Sequence, residues 1–216
     1  MNDTARALIE ARVIAIVRGV NEEGILSLAR ALEAGGVRAI EVTFDQRDPD
    51  SWPRTLRAIE RIAREFDGRV LPGAGTVLTP AQVDMAFSAG ARYIISPDVN
   101  EDVIARTRAH GLASLPGALT PSEVMRAVRA GCDIVKIFPA GDLGPGYLKS
   151  IRAPLGHVPM FAVGGINERN AADFIRAGAL GLGIGGALTN RALIESGRFD
   201  EITATAARCV AACALP

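Results

Sequence analysis

The first residue positioned to do chemistry is an ammonium group in the middle of an apolar run. Residues 133–140 read DIVKIFPA, which sets Lys136 between Val135 and Ile137. Alternate residues of a strand share a face, so Ile134, Lys136 and Phe138 would point together into whatever core the strand lines. Full burial disfavours charged lysine and lowers its pKa by about 3 to 5 units, leaving a neutral amine that attacks carbonyl carbon near neutral pH. The same side chain could instead snorkel or pair with a carboxylate as scaffold, and the residue type alone leaves both open. RAIEVTF, residues 38–44, raises the same question with the opposite charge: Glu41 lies between Ile40 and Val42, on one face with Ala39 and Thr43. A carboxyl and an amine converging in one core would form either a structural ion pair or a general acid/base beside a Schiff-base lysine. Two glycine pairs add a third feature. AVGGI (162–166) and IGGAL (184–188) place Gly164, Gly165, Gly185 and Gly186 at strand ends that lead into helices, where backbone N–H groups can cradle a phosphate. Ordinary turn geometry would also account for such pairs.

Elements able to position these residues recur along the whole chain. Short β-branched runs at 13–17, 38–44, 69–77, 93–97, 113–119, 134–140, 159–166 and 180–186 alternate with helical patterns such as 23–34, where Ile25, Leu28, Ala29 and Leu32 follow the 3.6-residue period. Gly35, Gly90, Gly131 and Gly178 each follow an alanine where a helix should end in a left-handed residue. Two starts are marked by capping boxes with proline at the first helical position: Thr79, Pro80 and Gln82, then Thr120, Pro121 and Glu123. Eight βα units predict a single-domain (β/α)8 TIM barrel over residues 1–216 with an N-terminal helix, and the Ala-rich pattern at 200–214 predicts a helix that covers it. The rival, a doubly wound open sheet, would carry G-x-G-x-x-G after its first strand, and VIAIVRGVNEEG does not.

Composition narrows the partners. The chain has 216 residues, 49% of them hydrophobic, and a formal net charge of +0, which gives no electrostatic reason to expect nucleic acid. Cys132, Cys209 and Cys213 are too few for a disulfide framework, so a reducing cytoplasm is expected. No apolar run approaches membrane-spanning length, and no signal-like segment opens the chain, so neither a membrane partner nor export is expected. His110 and His157 are isolated, at an expected helix end and in a loop, and no metal or organic cofactor is expected.

Six motifs in order, GVRAIEVT, GAGTVLTPAQ, ISPDVN, LPGALTPSEV, VKIFPA and AVGGI, make residues 13–188 resemble the class I aldolases of 2-keto-3-deoxy-6-phosphogluconate and 4-hydroxy-2-oxoglutarate. The resemblance implies Lys136 as the Schiff-base nucleophile and Glu41 as the proton shuttle. It also implies that Thr76 holds the pyruvyl carboxylate, that Pro97 and Phe138 shape the pocket, and that Gly164, Gly165, Gly185 and Gly186 hold a distal phosphate. A homotrimer is implied by the same likeness. Three departures matter. Where the gluconate-type enzymes carry a carboxylate-binding arginine after the glutamate, this chain has Asp45 in EVTFDQ; the galactonate type uses an arginine at the end of strand one, which Arg18 matches. Val163 stands where the gluconate type has threonine and the galactonate type valine, and Ala187 replaces a phosphate-loop serine. The resemblance implies cleavage of the 6-phosphogalactonate or 6-phosphogluconate keto-deoxy acid to pyruvate and glyceraldehyde 3-phosphate, with Arg18 as the carboxylate clamp, while Ala187 points to weaker phosphate binding or a non-phosphorylated substrate. Asp45, Gln46 and Arg47 either line the substrate mouth or form a solvated loop. The alternatives are a non-phosphorylated 4-hydroxy-2-oxo acid, decarboxylation of oxaloacetate, and a non-catalytic phosphate-binding barrel, which would have no reason to keep both Lys136 and Glu41 facing inward.

Overall fold

The computed structural model describes residues 1–19 and 22–214. It is a barrel of parallel strands wrapped by helices. β1 (Val13–Val17), β2 (Ala39–Thr43), β3 (Leu71–Gly75), β4 (Tyr93–Ile95) and β5 (Ala113–Leu115) pair in sequence; β6 (Gly117–Ala118), β7 (Val135–Ile137), β8 (Met160–Val163) and β9 (Gly181–Ile184) continue round, and β9 returns to β1. Nine segments make eight barrel strands. β5 and β6 are one strand interrupted at Pro116, which has no N–H to donate to the ladder. Its carbonyl still accepts from the Lys136 N–H at 2.9 Å, so the seam between β5 and β7 is stitched across the break.

Two apolar layers follow from the strand alternation. Outward residues such as Val13, Ala15, Val42, Ala74, Ile94, Val135 and Ala162 pack under the helices. Ile14, Ile16, Ala39, Tyr93, Ile95, Leu115, Ile134, Phe161 and Val163 fill the barrel interior. Helix α1 (Asp3–Ala11), capped by the Asn2 side chain, closes one end by adding Ala5 and Leu8 to that interior layer. The open end must therefore be the opposite one, where strands run into helices, as this architecture uses it.

The helix signals behave largely as their chemistry dictates. Both capping boxes are present, Thr79 with Gln82 on α4 (Pro80–Ser88) and Thr120 with Glu123 on α6 (Pro121–Ala130). Gly90, Gly131 and Gly178 are left-handed as expected. Gly35 is a correction: α2 (Glu22–Ala34) turns at Gly36, with φ 92°, and Gly35 is small for another reason. A Cβ there would fall 2.5 Å from that of Ala206 on α10 (Phe199–Cys213), the Ala-rich helix that does pack on the barrel. The strand around Lys136 is also shorter than the apolar run, because the chain leaves β7 at Phe138 and begins α7 (Ala140–Leu155) at Ala140.

Candidate active site

Register explains how two charged residues come to share the barrel interior. Glu41 on β2 sits beside Ile16 of β1 and Gly73 of β3, while Lys136 on β7 sits beside Gly117 of β6 and Phe161 of β8. They face one another from different sides of one lumen. Glu41 is 2% exposed and Lys136 5%. Among the described residues no ion pair within 4 Å joins them. Burial pushes the Glu41 carboxyl above its ordinary 4.5, against a smaller opposing pull from Lys136 and then Arg18. Burial likewise pulls the Lys136 amine below its ordinary 10.5, with Glu41 opposing and Arg18 adding to the shift. Both groups are biased toward their neutral forms, the forms in which an amine can attack a carbonyl and a carboxyl can give a proton.

The side chains around the pair are packed closely. Nζ of Lys136 lies 4.7 Å from the centroid of the Phe138 ring, on the same strand face. The Glu41 carboxyl lies across Gly75: a Cβ built on that glycine would fall 1.7 Å from Glu41 Oε1. No residue with a side chain fits there while Glu41 keeps this position. Thr76, next in the chain, is half-buried and left-handed at φ 56°, unusual for a β-branched residue. Its carbonyl accepts from Gln46 Nε2 at 2.5 Å, Gln46 Oε1 accepts from Gln82 Nε2 at 3.1 Å, and Gln82 is the fully buried capping residue of α4. Pro97 is half-buried at the end of β4, its carbonyl pressed on Gly117 so that a Cβ there would lie 2.3 Å away.

Arg18 extends the inward line of Ile14 and Ile16 one step past β1. It is exposed, and no hydrogen bond or ion pair to any described residue engages its guanidinium. Arg18 lines a cleft of 1080 Å³ with Thr43, Asp45, Gln46, Arg47 and Thr76, over the ends of β1 to β3. Lys136 and Glu41 do not line it; they are buried. Asp45 faces the cleft paired with Arg47 at 3.4 Å, and hydrogen bonds from Arg47 hold its carboxyl below the ordinary 3.8. The segment 45–47 therefore borders the mouth, and its Asp45 cannot bind a carboxylate.

The four glycines divide into two kinds. Gly164 and Gly165, after β8, are left-handed at φ 93° and 71°, and a Cβ on Gly164 would press on the Phe138 ring at 3.1 Å. Their glycine is demanded by the turn and by Phe138. Gly185 and Gly186, after β9, have neither demand, since a Cβ would meet nothing closer than Ile16 at 4.0 Å on Gly185 and nothing within 4 Å on Gly186. The fold leaves open space in front of their backbone. Val163, 4% exposed, belongs to the interior layer beside Ile16 and Gly183. Ala187 offers no hydroxyl, and the Thr189 hydroxyl is committed to the carbonyls of Ile16 and Gly185 at 3.1 and 3.2 Å.

Two members of this neighbourhood carry no motif of their own: Tyr93, whose phenol is wholly buried, and Gln46. The signal for Tyr93 was the Gly-x-Gly of β3, whose missing side chains leave room for large neighbours. His110, unremarkable in the sequence, joins Asp84 at 2.6 Å on the outer surface and is not isolated; His157 lies in the turn after α7. Among the described residues no cluster of three His, Cys, Asp or Glu could hold a metal ion.

Comparison with known proteins follows the same geometry. The sequence model for KDPG and KHG aldolase matches residues 5–205. The chain is 36% identical over 174 residues to the 2-dehydro-3-deoxy-6-phosphogalactonate aldolase of Escherichia coli, covering 80% of this chain and 82% of that one. It is 38% identical over 202 residues to the 2-dehydro-3-deoxy-phosphogluconate aldolase of Treponema pallidum, covering 92% and 91%. Its fold superposes with a TM-score of 0.84, at 29% identity over 94% and 96% of the two chains, on a KDPG aldolase from Legionella pneumophila with pyruvate captured as a covalent carbinolamine intermediate.

Proposed function

The chain belongs to the KDPG and KHG aldolase family and is a class I aldolase, and we propose that it cleaves the keto-deoxy acid of 6-phosphogalactonate, with 6-phosphogluconate as second substrate. Lys136 is the nucleophile. Its neutral amine adds to the C2 carbonyl; Glu41 protonates the carbinolamine hydroxyl, and water leaves an iminium ion. The Glu41 carboxylate then takes the proton of the C4 hydroxyl, the C3–C4 bond breaks, glyceraldehyde 3-phosphate departs, and its electron pair is held as an enamine on Lys136. Protonation of C3 by Glu41 and hydrolysis release pyruvate and the free amine. Glu41 starts as the acid: it gives a proton to the carbinolamine hydroxyl, regains one from the C4 hydroxyl, gives it to C3 and regains one from the water that adds to the iminium, so it ends as it began and no outside acid or base is required.

Binding roles follow the positions already described. Arg18, exposed at the mouth, clamps the substrate carboxylate with Thr76. Pro97 and Phe138 wall the pocket, Val163 favours the galactonate epimer, and the backbone N–H groups of Gly164, Gly165, Gly185 and Gly186 hold the phosphate. The lack of a phosphate-loop hydroxyl at Ala187 keeps a non-phosphorylated 4-hydroxy-2-oxo acid as the second reading, decided by kcat/KM with and without phosphate. The family match over 5–205 supports reading residues 1–216 as one aldolase domain. We place it in the cytoplasm as a homotrimer; among the described residues no helix is long and apolar enough to cross a membrane.

The observation that carries the proposal is the opposed burial of Lys136 and Glu41 in one lumen. Borohydride reduction in the presence of pyruvate, followed by intact mass and peptide mapping, tests it. A single reduced pyruvyl adduct on Lys136 is expected; no adduct, beside a lysine aldolase that gives one, overturns it.

A further inference from the structure

Two polar atoms deep in the barrel lack partners among the described residues, one on β2 and one on β4, on either side of β3. Glu41 Oε2 and the Tyr93 hydroxyl are both buried with no hydrogen-bond partner among the described residues. Glu41, Gly73 and Tyr93 occupy one level of β2, β3 and β4, as the pairings Glu41↔Gly73 and Gly73↔Tyr93 show. A Cβ on Gly73 would fall 2.3 Å from Tyr93 Cζ, so the phenol leans across β3 toward β2. The Glu41 carboxyl leans over β3 as well, at Gly75. Glu41 is also near enough for its charge to add to the burial that raises the Tyr93 phenol well above 10.0.

Buried polar groups are rarely left unsatisfied, because a hydroxyl orphaned in an apolar core keeps the full cost of its lost hydration. We propose that the Tyr93 hydroxyl, through one buried water, is the hydrogen-bond partner of the Glu41 carboxyl and holds it in position for its proton transfers. The inference rests on the proposed role of Glu41 as proton shuttle. A phenol suits that place because it donates and accepts. The water it orients can donate to the carboxylate and, after the proton has moved, accept from the carboxylic acid, so Glu41 need not rotate between steps. Lys136 from β7 and Arg18 just past β1 are the other charged groups acting on Glu41; β3 brings Leu71, Gly73 and Gly75, and β5 brings Ala113 and Leu115, none of them charged. Tyr93 is thus a positioning residue, acting at the closed side of Glu41 while substrate enters from the mouth.

The test is Tyr93→Phe, which keeps the ring and removes the oxygen. Exchange of the pyruvate methyl protons in D2O isolates the transfer, because each exchange takes a C3 proton from the iminium to Glu41 and returns a deuteron. Tyr93→Phe should still give the borohydride adduct at full yield, with exchange and kcat lowered roughly ten- to a hundredfold by a displaced carboxyl, KM nearly unchanged, and a melting temperature equal or higher. In a Glu41→Gln background the same substitution should add no further loss. A wild-type adduct with unchanged exchange and kcat in Tyr93→Phe overturns this inference alone, as does full additivity in the double variant. Absence of the wild-type adduct overturns the aldolase assignment and this inference with it.

Discussion

The two halves of the proposed site are made of different materials. On one side the proposed roles fall to the side chains of Lys136 on β7, Glu41 on β2 and Arg18 at the end of β1, and burial biases the first two toward their neutral forms. On the other, Gly164, Gly165, Gly185 and Gly186 offer backbone, and what matters is which positions have no side chain. A side-chain site is set by strand alternation, whereas a backbone site is set by loop conformation.

Lys136→Met breaks the first half most completely. If Lys136 is the nucleophile, kcat should fall at least about a thousandfold, with no adduct on reduction. Stability separates this from a scaffold role. Removing one partner of a buried structural ion pair typically costs about 3–5 kcal/mol, whereas replacing a desolvated amine by an apolar chain of similar length should leave the melting temperature unchanged or raised.

Glu41→Gln is next, with kcat lowered about a hundred- to a thousandfold. Its pH signature is independent of turnover. Because the folded pKa of Glu41 is raised, its stabilising contribution is complete below the unfolded value near 4.5 and is lost as pH rises through the folded value. The wild type should therefore lose stability relative to Glu41→Gln across that window, measured as the difference in melting temperature at a series of pH values. A constant difference would mean that Glu41 is not desolvated as its burial implies. Arg18→Ala should act more gently, raising KM for pyruvyl substrates about ten- to a hundredfold, as expected for loss of one charged hydrogen bond, with kcat little changed.

How much of this was legible in the sequence follows the same division. Lys136 and Glu41 announced themselves, because a charge inside a β-branched run conflicts with its local pattern. Arg18 was reachable only through the family likeness and the Asp45 substitution. Tyr93 was hidden, since a tyrosine in YIIS looks like any strand residue; its place over β3 depends on Gly73, one strand earlier in the sequence. The barrel itself was plain from eight alternating runs. What escaped was where strand five breaks, at Pro116, and that α2 turns at Gly36 rather than Gly35. The first depends on a missing ladder donor and the second on contact with Ala206, neither of which is local periodicity.

The smallest effect is the one that best sharpens the contrast between side chain and backbone. The four glycines look alike in the sequence, yet the geometry separates them by cause. Gly164→Ala forces a side chain into a left-handed turn against Phe138 and should cost about 1–3 kcal/mol of stability. Gly186→Ala adds a methyl where nothing lies within 4 Å, so stability should change by less than about 0.5 kcal/mol. If the open space at Gly186 faces the substrate phosphate, the same methyl should raise KM for the phosphorylated acid severalfold while leaving that for a non-phosphorylated analogue unchanged. Equal KM values for both substrates would move the phosphate away from the β9 turn, leaving the left-handed pair after β8 as the backbone that holds it.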